Sequence, residues 1–132
     1  MMGAVLADSG PLYAAADESD AHHQRALEDL EKLARNRRVL CVAYPTLLES
    51  YSLVQFRLGT KAGLRWLSYM SDSVMVNPIL EDYRQAFARL RELADQRITL
   101  FDTTVAALAT RLGMQVWTYD HHFDLMRVPV WR

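Results

Sequence analysis

Ala4-Val5-Leu6-Ala7-Asp8-Ser9-Gly10-Pro11 is the stretch on which the fold turns. A run of four apolar residues closed by turn formers reads as a buried strand, too short for a core helix. Ser9-Gly10-Pro11 turns the chain into a short helix through Leu12, Tyr13 and Ala16. Asp8 therefore stands where an apolar strand opens to solvent. An acid beside so much apolar sequence costs free energy to desolvate unless something compensates its charge.

The arrangement recurs along the chain. Val116-Trp117-Thr118-Tyr119 ends at Asp120, and Ile98-Thr99-Leu100-Phe101 ends at Asp102, ahead of an Ala-rich helix over 103–112 that Gly113 stops. Glu49 lies inside Leu47-Leu48-Glu49-Ser50-Tyr51. Strands are expected at 4–7, 39–42, 73–76 and 115–118, with a small edge strand at 128–131 and a short turn or helix at 121–126. Helices are expected over 22–36, from Pro45 to Leu58 with Gly59 as a left-handed stop, and from Thr60 with Leu64, Leu67 and Met70 on one stripe. Asn77-Pro78 is expected to cap another, which carries Leu80, Tyr83, Phe87, Leu90 and Leu93 inward.

Short apolar runs that alternate with helices signal an α/β fold. The expectation is one domain over 1–132, with a central, mostly parallel sheet of four to five strands and helices on both faces. Ligands bind such sheets outside the carboxyl ends of the strands. The acids therefore have a route to one cleft.

A chain of 132 residues with 51% apolar content can bury a sizeable core. The net charge of −1 argues against nucleic-acid binding by bulk charge, though not against a local basic strip. There is no apolar stretch of about 18 residues and no basic region leading into a long apolar run, so neither membrane insertion nor a signal peptide is expected. Cys41, the single cysteine, sits in Val39-Leu40-Cys41-Val42 and reads as an inert core thiol of a cytoplasmic protein.

Each acid has an innocent explanation by itself. Asp8 and Asp120 can start turns, Asp102 can be a helix N-cap, and Thr46-Leu47-Leu48-Glu49 fits a capping box. Together they ask for more, because no matching set of lysines adjoins them. Oxygen ligands select hard cations, Mg2+ or Mn2+, over zinc, and no HExxH or paired-cysteine motif argues otherwise. Two carboxylates about 5 Å apart repel by roughly 3 kcal/mol at an effective dielectric of about 20, so without an ion at least one pKa should rise.

Four motifs carry a resemblance: Val5-Leu6-Ala7-Asp8-Ser9 with Leu12-Tyr13 behind it, Pro45-Thr46-Leu47-Leu48-Glu49, Phe101-Asp102 with its Ala-rich helix, and Thr118-Tyr119-Asp120-His121-His122-Phe123. The chain resembles PIN domains, and more closely the small VapC-type toxin ribonucleases of bacterial toxin–antitoxin pairs. The resemblance covers nearly the whole chain. It implies a Mg2+- or Mn2+-dependent endoribonuclease that hydrolyses RNA, restrained by a small antitoxin and commonly homodimeric. It maps the family's acids onto Asp8, Glu49, Asp102 and Asp120 as catalytic and metal-holding residues, and its polar residue near the metal onto Thr118, with Ser9 beside the first acid. Phe101 before the third acid and Thr103-Thr104 after it depart from the family's usual surroundings there. The rivals are a PIN nuclease of housekeeping RNA processing and a degenerate domain that only binds RNA or protein.

Other residues carry weaker signals. His22-His23 and His121-His122 look like ligands, but neighbours on a helix point apart, so each pair is expected to be poor for one ion. Arg35, Arg37 and Arg38 suit a helix C-terminus or phosphate contact, and Arg57, Lys61 and Arg65 form a candidate basic rim. Leu53, Val54, Phe56, Leu58, Leu64, Trp66, Leu67, Tyr69 and Met70 make more than one face of two helices apolar. That suits a partner helix or self-association.

Overall fold

The structure is a computed structural model and describes residues 3–132. Four strands, β1 (Ala4–Ala7), β2 (Val39–Ala43), β3 (Val74–Val76) and β4 (Gln115–Trp117), pair in parallel in the order β3-β2-β1-β4. Helices α1 (Ser9–Ala16) and α2 (His23–Arg35) join β1 to β2, and α3 (Tyr44–Leu58) and α4 (Thr60–Met70) join β2 to β3. The chain then returns through α5 (Leu80–Glu92), a 3-10 turn at Ala94–Gln96 and α6 (Leu100–Leu112) to lay β4 on the other side of β1. The short α7 (His122–Leu125) follows.

All four residues of β1 are buried. Leu6 packs with Cys41, Val116, Leu108 and Phe123 on one face of the sheet. Val5 and Ala7 pack with Leu12, Val42, Val54, Trp66 and Trp117 on the other. A strand covered on both faces needs no polar alternation, which is why the sequence there is a plain apolar run. Burying each Leu or Val side chain contributes about 1.5–3 kcal/mol. Burial also pushes the Cys41 thiol up, in keeping with an inert core residue. Among the described residues, no helix is long and apolar enough to cross a membrane.

Several expectations are corrected. The segment over 128–131 makes a single parallel bridge, Val130 to Val116, so the sheet has four strands and a stub. Gly59 has positive φ but extended ψ (95°, 163°), and it links α3 to α4 through a sharp corner rather than a helical left-handed cap. Helix α5 starts at Leu80, not after Asn77, with the Ile79 N–H donating to Asp82 Oδ2 at 2.9 Å. Of the residues expected inward, Leu93 packs on the core and Tyr83 and Leu90 are half-buried, but Leu80 and Phe87 are exposed, and the fully buried positions are Asp82 and Ala86. An ion pair also lies on this face: Arg111 of α6 donates to both oxygens of the buried Asp82, at 2.8 and 2.9 Å.

Candidate functional site

The order of strands reverses between β1 and β4, and the crevice beyond their carboxyl ends is where open α/β sheets place ligands. Asp8 and Thr118 face each other there. The Asp8 N–H donates to the Trp117 carbonyl at 2.9 Å, extending the ladder by one residue. As the N-cap of α1, Asp8 accepts from the Ser9 N–H through Oδ1 at 2.8 Å. Its other oxygen accepts from Thr118 Oγ1 at 2.8 Å, and that hydroxyl accepts in turn from the Asp120 N–H at 3.0 Å. Asp8 is only 5% exposed. Burial pushes its carboxyl up to about 7; Thr118 opposes the rise, and the charges of Asp102 and Glu49 add to it.

Glu49 and Asp102 complete the inner cleft. Helix α3 begins at Tyr44 behind Ala43 with no side-chain cap, so the capping box expected over Thr46–Glu49 does not form. Glu49 is left without that structural duty. Burial raises its pKa, the Ser9 hydroxyl opposes this, and Asp102 adds to it. Asp102 does cap a helix, but from inside it. Residues 99–101, read as the end of an apolar run, are the N-cap and first turn of α6. Thr99 Oγ1 accepts from the Asp102 N–H at 3.1 Å, and Asp102 Oδ2 accepts from the Thr99 N–H at 3.0 Å. Burial raises the Asp102 pKa against the Thr99 hydrogen bonds, and Asp120 adds to the rise while His122 opposes it.

Asp120 lies at the cleft's outer end, bound to the residues that follow it. Its Oδ1 accepts from the His122 N–H at 2.9 Å and lies 3.0 Å from His122 Nδ1 and 3.8 Å from His121 Nδ1. The two imidazoles have centroids 4.4 Å apart. The expectation that this pair points apart is therefore overturned. Asp120, His121 and His122 are the one set of three acid or histidine groups, among the described residues, whose ligand atoms lie within 4.8 Å of one another. Asp8, Glu49 and Asp102 feel each other's charge without crowding to that spacing. The other pair behaves as expected: His23 Nδ1 meets the Ala14 carbonyl at 2.8 Å, and His22 stacks toward Tyr119.

Among the described residues, no lysine or arginine forms an ion pair with any of the four acids. Arg38 bonds the Gly3 carbonyl and Gln115 at the opposite end of the sheet, and Arg57 lies over the Tyr13 ring. Phosphate contact by Arg38 in this cleft is thereby ruled out by position.

The PIN-domain family model matches residues 5–128. The chain belongs to the PIN-domain family. Among solved structures, this PIN domain is similar to VapC20 of Mycobacterium tuberculosis, described as a sarcin–ricin loop cleaving toxin, with a TM-score of 0.83 at 19% identity, covering 97% of this chain and 98% of that one. It is also similar to VapBC2 from Rickettsia felis, bound to a DNA fragment from its promoter (TM-score 0.75, 16% identity, 98% and 97% covered). A third is FitAcB from Neisseria gonorrhoeae (TM-score 0.71, 19% identity, 97% and 96% covered). No curated protein matches the sequence.

Two further features of this PIN domain were not read from the sequence. Asp29 of α2 accepts from Trp117 Nε1 at 3.0 Å and from the Tyr119 hydroxyl at 2.6 Å, and so holds the strand end that carries Thr118. The signal was the two-residue spacing of Trp117 and Tyr119, which puts both on one face, opposite Thr118. The second is an open groove of about 1100 Å³ walled by Pro45, Leu48, Leu53, Phe56, Tyr83 and Phe101, with Glu49 on its lining. The acidic cleft thus continues into an apolar trough.

Proposed function

We propose that this PIN domain is a Mg2+- or Mn2+-dependent endoribonuclease acting in the cytoplasm as the toxin of a toxin–antitoxin pair. The observation that carries the reading is the trio Asp8, Glu49 and Asp102, each pushed up by burial and by a neighbouring acid, with no lysine or arginine among the described residues paired to any of them. The similarity to toxin structures along the whole chain supports the biological setting.

The donor set fits a hard divalent ion. It is all oxygen, it is rich in negative charge, and Mg2+ keeps several waters, so the three carboxylates need not all touch it. Asp8, Glu49 and Asp102 would hold the ion directly or through water, with Asp120 at the outer end. When bound, such an ion lowers the pKa of a water and offsets charge on the scissile phosphate. The chain's own residues do the positioning. Thr118 fixes the rotamer of Asp8 with its proton and the backbone of Asp120 with its lone pair. Thr99 fixes one oxygen of Asp102. These bonds hold the acids in place before substrate arrives, which is what gives a positioned site its rate advantage.

The exposed apolar side chains of α3 and α4, among them Leu48, Phe56, Leu64 and Tyr69, support docking of an antitoxin segment and self-association into a homodimer. The groove's continuity with Glu49 lets one bound segment cover the acids as well.

The test is cleavage of RNA by the purified protein with Mg2+ or Mn2+. Cleavage should stop with chelator and with Asp8→Asn, and induced expression should arrest growth unless the antitoxin is co-expressed. Full RNase activity in the Asp8→Asn protein would reject the proposal.

A further inference from the structure

We propose that Asp120, His121 and His122 form a separate cation site, at the mouth of the acidic cleft, for a borderline ion of the Zn2+ class. The inference touches the proposed nuclease reading only in that the two sites share Asp120.

The geometry comes first. Zinc takes nitrogen ligands at about 2.0–2.1 Å and tetrahedral coordination, which puts neighbouring ligand atoms about 3.3 Å apart. Asp120 Oδ1 lies 3.0 Å from His122 Nδ1 and 3.8 Å from His121 Nδ1, distances that bracket this edge. Each of the three residues offers one ligand atom within 4.8 Å of the others'. Nδ1 is the ring nitrogen nearer the backbone, so adjacent histidines need not point in one direction to bring these atoms together. The His121 side chain is 78% exposed and free to close the last fraction of an ångström. Three protein ligands leave a fourth position for water.

The donor chemistry then separates this site from its neighbour. Two imidazoles and one carboxylate suit Zn2+, Co2+ or Ni2+, whereas Mg2+ takes oxygen and dehydrates reluctantly. The carboxylate is already oriented, because the His122 N–H donates to the same Oδ1 at 2.9 Å, an outer bond of the kind that orients metal ligands. His122 is also close enough to affect Asp102. An ion here would therefore sit beside the oxygen-lined cleft and not within it.

Co2+ serves as the visible probe, titrated into the full-length protein in excess Mg2+. The expected result is one equivalent bound, with the strong visible absorption of low-coordinate cobalt, displaced by Zn2+ but not by more Mg2+. His121→Ala and His122→Ala should each weaken Zn2+ binding by well over the 10–100-fold that loss of an outer-shell partner costs. Circular dichroism should show both variants folded, and Asp8→Asn should bind Co2+ as the parent does. Absence of the absorption, its survival in the double histidine variant, or its loss in Asp8→Asn would overturn the inference. A protein that cleaves no RNA yet binds Zn2+ through these residues would support the site while removing the nuclease reading.

Discussion

Thr118 Oγ1 donates to Asp8 Oδ2 at 2.8 Å across 110 residues of sequence. Both ends of this bond are buried, and it ties the first residue past β4 to the first past β1. The hydroxyl also receives the Asp120 N–H, so one side chain sets the position of two acids.

Thr118→Val keeps the shape and removes both bonds. A charged acceptor and a backbone donor then lose their partner, at a cost of about 1–3 kcal/mol. Thr118 favours the charged form of Asp8, so the cost should be larger at pH 8 than at pH 5. Denaturant unfolding at the two pH values measures this; an equal cost at both would show that the bond does not act through Asp8.

Asp8→Asn should stabilise the metal-free protein. The Asp8 carboxyl rises from 3.8 unfolded to about 7 folded. Between these values the unfolded chain has released its proton while the folded protein keeps it, so wild-type stability falls as pH rises from about 4 to 7. The variant lacks that slope. With chelator present it should match wild type near pH 4 and exceed it by about 1–3 kcal/mol at pH 8, after loss of one acceptor. Thermal melts across this range test it, and a variant weaker than wild type at pH 8 would contradict it.

Arg111→Ala should destabilise by about 3 kcal/mol, because it leaves Asp82 buried without its partner. Burial favours the protonated form of Asp82, but the Arg111 and Ile79 hydrogen bonds win and hold its pKa below the usual range. That stabilisation is present above the unfolded value and is lost as pH falls through the folded one, so the variant's deficit should shrink in acid. Pairing Arg111→Met with Asp82→Leu should recover much of the loss, which urea titration will show.

Ser50→Ala should stabilise by about 1 kcal/mol. Ser50 Oγ is fully buried in α3 without a hydrogen-bond partner, and alanine removes a desolvated hydroxyl while improving helix propensity. The shift in unfolding midpoint reports it directly.

The strands around Asp8 and Asp120 were legible because a strand buried on both faces leaves an unbroken apolar run with a sharp end. The start of α6 was not, because Ile98-Thr99-Leu100-Phe101 is as apolar as a strand, and only the Thr99–Asp102 box shows it to be a helix entrance. The inner face of α5 was legible at Leu93, which packs on the core, and misread at Leu80 and Phe87, which are exposed. Periodicity looks for apolar residues on the buried side of a helix and does not register an acid there, such as Asp82 paired with Arg111, 29 residues away. The charges of Glu49 and Asp102 reach Asp8, and that of Asp120 reaches Asp102. Their spacing was not readable from sequence, and neither was the convergence of His121 and His122, which depends on backbone geometry within one turn.

Because β4 pairs with β1, a nascent chain still short of residue 115 carries Asp8 without the Thr118 hydroxyl that sets its rotamer. Translation products broken off earlier would have an open β1 edge and half a cleft, and so would be fodder for proteases rather than nucleases.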